Sequence, residues 1–363
     1  MEDISILCFT WNTSSIRIAE SLDEEVIKQH RENVNILGID APSLWKQDCN
    51  IFDAWYFILE KINTLSPSIV VIAFQEDIRP GSYAHSNLFP EEMAKINYSL
   101  FDRVTSMGIG KTSIEGLMNA DLFLRGLRLS VYRKNDAKCI YKSIQCDEYS
   151  PNYSRNKTAV AIYVSLTNNE TIAFINMHLP FNSDSLKESL LNGDPMIRKN
   201  AIYEQNLFFN QAVKKLAIDK NINHVIIMGD LNYRIQPYNM TLGKLYEVLN
   251  SYNFYDELKN IDEFYLQLKS DNIYFFNEGV DNKGPEFYPT CKLKKDRTDE
   301  TYGYKVGKYN HRYPSWCDRI LYKSNFNSHR KIICNLYGSY DSGIIRKSDH
   351  CAVFAFLILT NKN

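Results

Sequence analysis

The chain has 363 residues, 44% hydrophobic and 23% charged, with a formal net charge of −1. This supplies a substantial core, but no global positive field to draw the protein onto nucleic acid or anionic lipid. No apolar run approaches the roughly 20 residues that cross a bilayer.

In chain order, ISILCFT (4–10) reads as a short β-branched strand that runs into Thr10, Trp11 and Asn12. FDAWYFILEKIN (52–63) has helical spacing, and IVVIAF (69–74) is a second strand, ending in Gln75 and Glu76. TAVAIYVSL (158–166) and TIAFINMH (171–178) flank TNNE (167–170), a hairpin turn, and the latter strand ends in Asn176, Met177 and His178. MIRKNAIYEQNLFFNQAVKKLAI (196–218) repeats apolar residues at three and four and predicts a helix. In HVIIMGDLNYRI (224–235) four apolar residues run into Gly229, Asp230, Leu231 and Asn232. PSWCDRIL (314–321) precedes another apolar run, and SDH (348–350) enters the last strand, CAVFAFLIL (351–359). Continuous rather than alternating hydrophobicity implies strands covered on both faces. With no linker or repeat, packed sheets flanked by helices in one domain, 1–363, is the expected architecture.

Eight cysteines, at 8, 49, 139, 146, 291, 317, 334 and 351, form no C-x-x-C pair, and MEDISILCFTW does not resemble a secretory signal. Reduced thiols and a cytoplasmic location are expected. Six separate segments deliver an acid, amide or imidazole where an apolar strand begins or ends. One such event has little weight because loops are polar, but six with complementary chemistry predict a shared site above the sheet edges.

GDLNYR, PSWCDRIL and the final SDH, in that order, resemble the inositol polyphosphate 5-phosphatases. These belong to the endonuclease/exonuclease/phosphatase superfamily, whose members are similar to DNase I. WN (11–12), QE (75–76) and NMHL (176–179) fit the same pattern, so the resemblance spans about 4–359. It implies a DNase I-like α/β fold: a four-layer α/β/β/α sandwich of two packed mixed sheets flanked by helices. It also implies Mg²⁺-dependent hydrolysis of the 5-phosphate of inositol polyphosphates or phosphoinositides.

Such chemistry needs water in line with the leaving oxygen and positive charge around the phosphoryl oxygens. Glu76 offers a hard carboxylate oxygen and Asn12 a neutral one, a set suited to Mg²⁺ that keeps most of its waters. Asp230 is the expected orienter and base for the attacking water. Asn232, two residues on, projects to the same side if the strand stays extended, placing its amide near a phosphoryl oxygen. His178 and His350 form the expected cationic pair; the resemblance implies that Asp318 partners His350 and that Asp349 lies near the metal or its water. Lys157, in RNKTAV, and Lys292, in FYPTCKL, match family lysines, and Arg312, Arg319 and Arg234 are further cationic candidates for substrate. Cys291 and Asn310 stand where the family pattern has tyrosine and lysine, which weakens the expected preference for a 4-phosphorylated ring.

Transient contact with the cytosolic face of membranes is compatible with CKLKKDR (291–297) and HLPFNSDSLKESLL (178–191), and no nucleic-acid partner is expected. The competing readings are a nuclease or phosphodiesterase of the same superfamily, which needs a broad basic groove, and a non-catalytic lipid-binding module. CKLKKDR also satisfies C-x5-R, the spacing of cysteine-dependent phosphatases, but its bulky, glycine-free loop suits that chemistry poorly.

Overall fold

The unbroken hydrophobicity of the strands has a direct cause in packing. In β1 (Ile4–Asn12), Ile4, Ile6 and Cys8 point into one apolar cluster while Leu7, Phe9 and Trp11 point into another. Successive side chains of a strand face opposite ways, and here both faces are covered. The structure, a computed structural model, describes residues 2–14, 52–78, 93–107, 125–137, 140–150, 157–181, 195–235, 242–251, 253–295, 313–341, 345–346 and 348–362.

Two six-stranded sheets form the centre. The first comprises β1, β2 (Ile69–Ile78), β3 (Tyr98–Met107), β4 (Arg125–Lys134), β11 (Arg330–Tyr340) and β12 (Ala352–Asn361), in the order β11-β12-β1-β2-β4-β3. The second comprises β5 (Ile140–Tyr149), β6 (Ala159–Leu166), β7 (Thr171–His178), β8 (His224–Asp230), β9 (Asn277–Glu278) and β10 (Asp318–Ser324), in the order β5-β6-β7-β8-β10-β9. Both are mixed: β1 runs parallel to β2 and β7 parallel to β8, and the other pairs are antiparallel.

Three apolar clusters arrange these sheets in layers. Between the sheets lie Ile6, Val71, Leu129, Ile162, Phe174, Met228, Ile320 and Leu357. Outside the first sheet, helix α1 (Phe52–Leu65) packs Phe57, Ile58 and Ile62 against Leu7, Phe9 and Ile72. Outside the second, Phe208, Phe209 and Ala212 of α2 (Pro195–Val213) meet Ala161, Ile175 and Ile227. The expected α/β/β/α order is the one observed. The helix expected over 196–218 is α2 followed by a π-helical turn at Lys214–Ile218.

Topology, rather than any single segment, gathers the polar strand tips. A parallel pair delivers two C-terminal ends to the same edge, and an antiparallel neighbour delivers its N-terminal end there. His178 is thus level with Asp230, Asp318 is level with Asp230, and Asn12 is level with Gln75. His350 stands two residues ahead of β12, which is antiparallel to β1.

Gly229 makes one of these approaches possible. Its φ is 142°, and a Cβ there would stand 1.9 Å from the carbonyl oxygen of Met177 on the neighbouring strand. Gly229→Ala is therefore expected to lower stability by more than ~1 kcal/mol, because a side chain is placed where the native backbone cannot accept one. Urea unfolding with an unchanged midpoint would count against this account.

The strands β3, β4, β5 and β11 were not among the sequence-based expectations. RGLRLSVYRK and IYKSIQCDEY interleave charged and apolar residues, and β3, β5 and β11 lie at sheet edges, where one side lacks a neighbour. A search for continuous apolar runs detects only strands buried on both faces.

Candidate active site

Six segments meet at one end of the two sheets. Asp230 sits at their centre, only 2% exposed. Its Oδ2 accepts from Asn12 Nδ2 at 2.8 Å and lies 3.4 Å from His178 Nε2 and 4.0 Å from His350 Nε2. Its Oδ1 accepts the Asn232 N–H at 3.0 Å. Burial pushes the Asp230 carboxyl up, but its contact with His178 and the positive charges of His350 and Lys157 more than offset this and hold it well below the usual carboxylate range. An anion so stabilised is a weak base.

His350 and Asp318 form a tight dyad. His350 Nδ1 is 2.8 Å from Asp318 Oδ2, which also accepts from Thr290 Oγ1 at 2.7 Å. Burial lowers the His350 pKa, but Asp318 and the Cys291 sulfur raise it further, so the ring is held well above its ordinary value and is cationic. Ser348 fixes the approach of this segment: its hydroxyl donates to the Asn12 carbonyl at 2.7 Å and accepts the His350 N–H at 3.0 Å.

His178 behaves differently, correcting the expectation of two cationic imidazoles. Burial and the neighbouring Lys157 ammonium lower its pKa despite Asp230 and Glu76, so the ring is neutral. Lys157 Nζ contacts His178 Nε2 directly. The Lys157 pKa is itself lowered, chiefly by burial, against the pull of Asp230 and Glu76.

Glu76 lies at the rim, with Oε1 4.0 Å from His178 Nε2 and its side chain 24% exposed. The register of β2 against β4 shifts between Phe74 and Asp77, and Glu76 has a φ of 52°. Bulges of this kind re-aim side chains beside active sites. Here Gln75 turns into the sheet interface, where its Nε2 donates to Thr10 Oγ1 at 3.0 Å and to Asn176 Oδ1 at 2.7 Å. Asn176 in turn donates to the Phe74 and Arg128 carbonyls, both at 3.0 Å. Asn176 thus staples the two sheets together, and no hydrogen bond links its side chain to His178.

The oxygens of Glu76 and Asn12 fit a hard divalent cation. Glu76 is the partly exposed acid beside the buried Asp230. Among the described residues, Asn12 Oδ1 accepts only the Ser14 N–H, at 2.9 Å, leaving a second lone pair, while its amide nitrogen faces Asp230. Asp230, Asp318 and His350 also bring ligand atoms within 4.8 Å of one another. A protonated His350 would repel a cation, so that trio fits a charge relay better.

Three expectations require correction. Asn232 does not remain extended: its φ is 56°, its Nδ2 donates to the Leu179 carbonyl at 3.0 Å, and its Oδ1 accepts from Arg234. Its backbone N–H, rather than its amide, supports Asp230. Arg319 is no substrate contact, being 0% exposed with Nη2 on Asp262 at 2.6 Å and Nη1 on Glu278 at 2.9 Å. Lys292 is engaged with Asp349, which in turn lies 3.9 Å from His350. Arg234, 5% exposed, stacks on Phe181 at 4.1 Å and donates to Cys291 Sγ at 3.4 Å, beside the site but within its wall. Arg312 lies outside the described residues, as do Asn310, most of 178–191 and the arginine of C-x5-R.

Arg319→Met leaves two carboxylates buried without their cation and is expected to cost ~3–5 kcal/mol of stability. Chemical denaturation measures it. A raised KM at unchanged stability would instead return Arg319 to the substrate side.

Thr290, Ser348 and Gln75 support the site but were assigned no role from sequence. Each stood inside a quoted motif, yet its partner is distant along the chain: Asp318, Asn12 and Asn176.

With this geometry established, comparison with known proteins decides the family. The model of "Endonuclease/Exonuclease/phosphatase family 2" matches residues 9–356. The chain belongs to this family. Among its relatives, phosphatidylinositol 3,4,5-trisphosphate 5-phosphatase 1 of Rattus norvegicus is 28% identical over 295 residues, covering 79% of this chain and 22% of that protein. The Xenopus laevis protein of the same name is 32% identical over 204 residues, or 55% of this chain and 18% of that one. The chain thus spans about a fifth of the length of these curated relatives. Among solved structures, the inositol polyphosphate 5-phosphatase domain of SPsynaptojanin, in complex with inositol (1,4)-bisphosphate and calcium, superposes with a TM-score of 0.62 at 18% identity, covering 98% of this chain and 84% of that one. Cimex nitrophorin, as a ferrous NO complex, gives 0.60 at 15% identity, covering 99% of each chain. The family fold therefore serves unlike chemistries, and the site has to carry the functional argument. No helix among the described residues is long and apolar enough to cross a membrane.

Proposed function

We propose that this chain hydrolyses the 5-phosphate of inositol polyphosphates or phosphoinositides, with Mg²⁺ as cofactor. The observation that carries the reading is the convergence of Asp230, the His350–Asp318 dyad, His178 with Lys157, and Glu76 with Asn12 at one end of both sheets. The activities named for its relatives and for the 5-phosphatase domain sharing its fold support the substrate class.

Phosphoryl transfer passes through a loose transition state in which charge spreads over the phosphoryl oxygens, so positioning and electrostatics dominate. Glu76 and Asn12 would hold Mg²⁺, which when bound supplies Lewis-acid stabilisation of the phosphoryl oxygens. His350, kept cationic by Asp318, places one positive charge 4.0 Å from Asp230. Lys157 supplies a second beside neutral His178. Asp230 orients the attacking water and takes its proton late, once the new P–O bond has made that proton acidic. A depressed carboxyl pKa is compatible with late transfer and poorly suited to early deprotonation.

The direct test is phosphate release from inositol 1,4,5-trisphosphate and from vesicles containing phosphatidylinositol 3,4,5-trisphosphate, with Mg²⁺ or with EDTA, alongside a duplex DNA. Release that requires Mg²⁺ and leaves DNA intact is expected. DNA cleavage without phosphate release would transfer the site to the nuclease reading.

A further inference from the structure

Asp77 and Arg128 form a buried ion pair beside the site that the proposed hydrolysis does not use. Arg128 Nε and Nη2 both reach Asp77 Oδ2 at 2.7 Å, and the side chains are 12% (Arg128) and 0% (Asp77) exposed. A buried ion pair gains little net stability over apolar residues of the same size, and its better-attested use is to select one register or conformation. The alternatives here are two ways of running β2 past β4.

Phe74 lies opposite Arg128 and Asp77 opposite Gly126, so two residues of β2, Gln75 and Glu76, face the single Leu127 of β4. This is a β-bulge. Residues directly opposite share a face, and Phe74 and Arg128 do: the guanidinium carbon stands 5.6 Å from the ring centroid, on the side of the sheet covered by α1. In an unbroken strand Asp77, three residues beyond Phe74, would face the other way, and Glu76, two beyond, would share the Phe74 face. The extra residue reverses both. Asp77 returns to the Arg128 face, and Glu76 comes within 4.0 Å of His178 Nε2. The ion pair closes on the bulged register and not on the regular one.

Glu76 needs such support. Its φ of 52° is a left-handed conformation that a non-glycine residue keeps only where its surroundings impose it. Thr13, which directly follows Asn12, helps from β1. Its Oγ1 lies 2.9 Å from the Glu76 carbonyl oxygen and 3.2 Å from that of Gln75.

We propose that Asp77 and Arg128 are positioning residues that set the affinity of the site for its divalent cation, by holding the bulge that presents Glu76 beside Asn12. This rests on the reading of Glu76 and Asn12 as the metal-holding residues. Neither Asp77 nor Arg128 is assigned a contact with metal or substrate. Without the pair, Glu76 occupies its binding conformation for a smaller fraction of the time, and the apparent metal affinity falls by that fraction. A high metal concentration restores the bound state, and with it the turnover carried by Asp230, His350 and Lys157.

The test titrates the full-length protein with Mn²⁺ alone, followed by loss of the free-ion EPR signal, and separately measures phosphate release as Mg²⁺ is varied. Asp77→Asn combined with Arg128→Met removes both charges, so no lone ion is left buried. Its Mn²⁺ dissociation constant is expected to rise about 10- to 100-fold, the range for groups that orient metal ligands, with kcat returning as Mg²⁺ saturates. Should that protein fail to fold, Arg128→Lys keeps the charge without the forked donor and is expected to shift the constant the same way by a smaller factor. An unchanged constant in a folded variant whose urea midpoint has dropped would leave the pair a structural role only and overturn the proposal. A loss of kcat that saturating Mg²⁺ does not restore would overturn it too. Wild-type protein that binds no Mn²⁺ would remove the metal reading of Glu76 and Asn12, and this inference with it.

Discussion

Asp230→Asn lowers kcat by about 10²- to 10⁴-fold, the range for removing a positioned proton acceptor. The substitution keeps the shape of the side chain, although its single amide oxygen can serve only one of the two donors, the Asn12 amide or the Asn232 N–H. What is lost is the negative charge between His178, His350 and Lys157 and the group that accepts the water's proton. KM should change far less than kcat, because the loss falls in the transition state. A cost in stability accompanies it. The Asp230 carboxyl is depressed in the fold, so its contribution is fully present above its ordinary value of 3.8 and is lost only as pH falls through the folded value. At neutral pH the wild-type protein should therefore unfold at a higher denaturant concentration than the variant. Unchanged kcat in a folded variant would remove Asp230 from the mechanism.

Asp318→Asn is expected to move the alkaline limb of the pH–rate profile, with a loss at pH 8 of about 10²- to 10³-fold, comparable to removing one donor to a developing negative charge. The sign follows from the dyad. Asp318 raises the His350 pKa, so the ring stays cationic well above 6.5. Without that carboxylate, burial acts with less opposition and the ring loses its proton at lower pH. Asparagine still accepts from Nδ1, so orientation survives and charge is what changes. The variant should recover part of its activity as pH falls, whereas a mispositioned ring would give a loss independent of pH. A profile of unchanged shape would show that the His350 charge is not what Asp318 supplies.

Both predictions depend on residues whose types and order were legible before any coordinates. Gly229-Asp230-Leu231-Asn232, Cys317-Asp318 and Asp349-His350 lie at the boundaries of apolar runs, and their clustering follows from strands that share an edge. Charge states were less visible. His178 and His350 look equivalent along the chain, yet one is neutral and the other cationic, because Lys157 stands beside the first and Asp318 beside the second. Arg319 and Arg234 both looked available to an anion, but Arg319 is spent on Asp262 and Glu278, residues 57 and 41 positions away.

The order of apolar runs by itself determined a doubly covered sheet architecture and the set of polar tips that could meet, since burial on both faces leaves an unbroken hydrophobic signature in the chain. Only the tertiary structure decided which tips carry charge and which arginines stay within the scaffold. Each of those outcomes is set by desolvation and by neighbours remote in sequence, two quantities that local residue order does not encode.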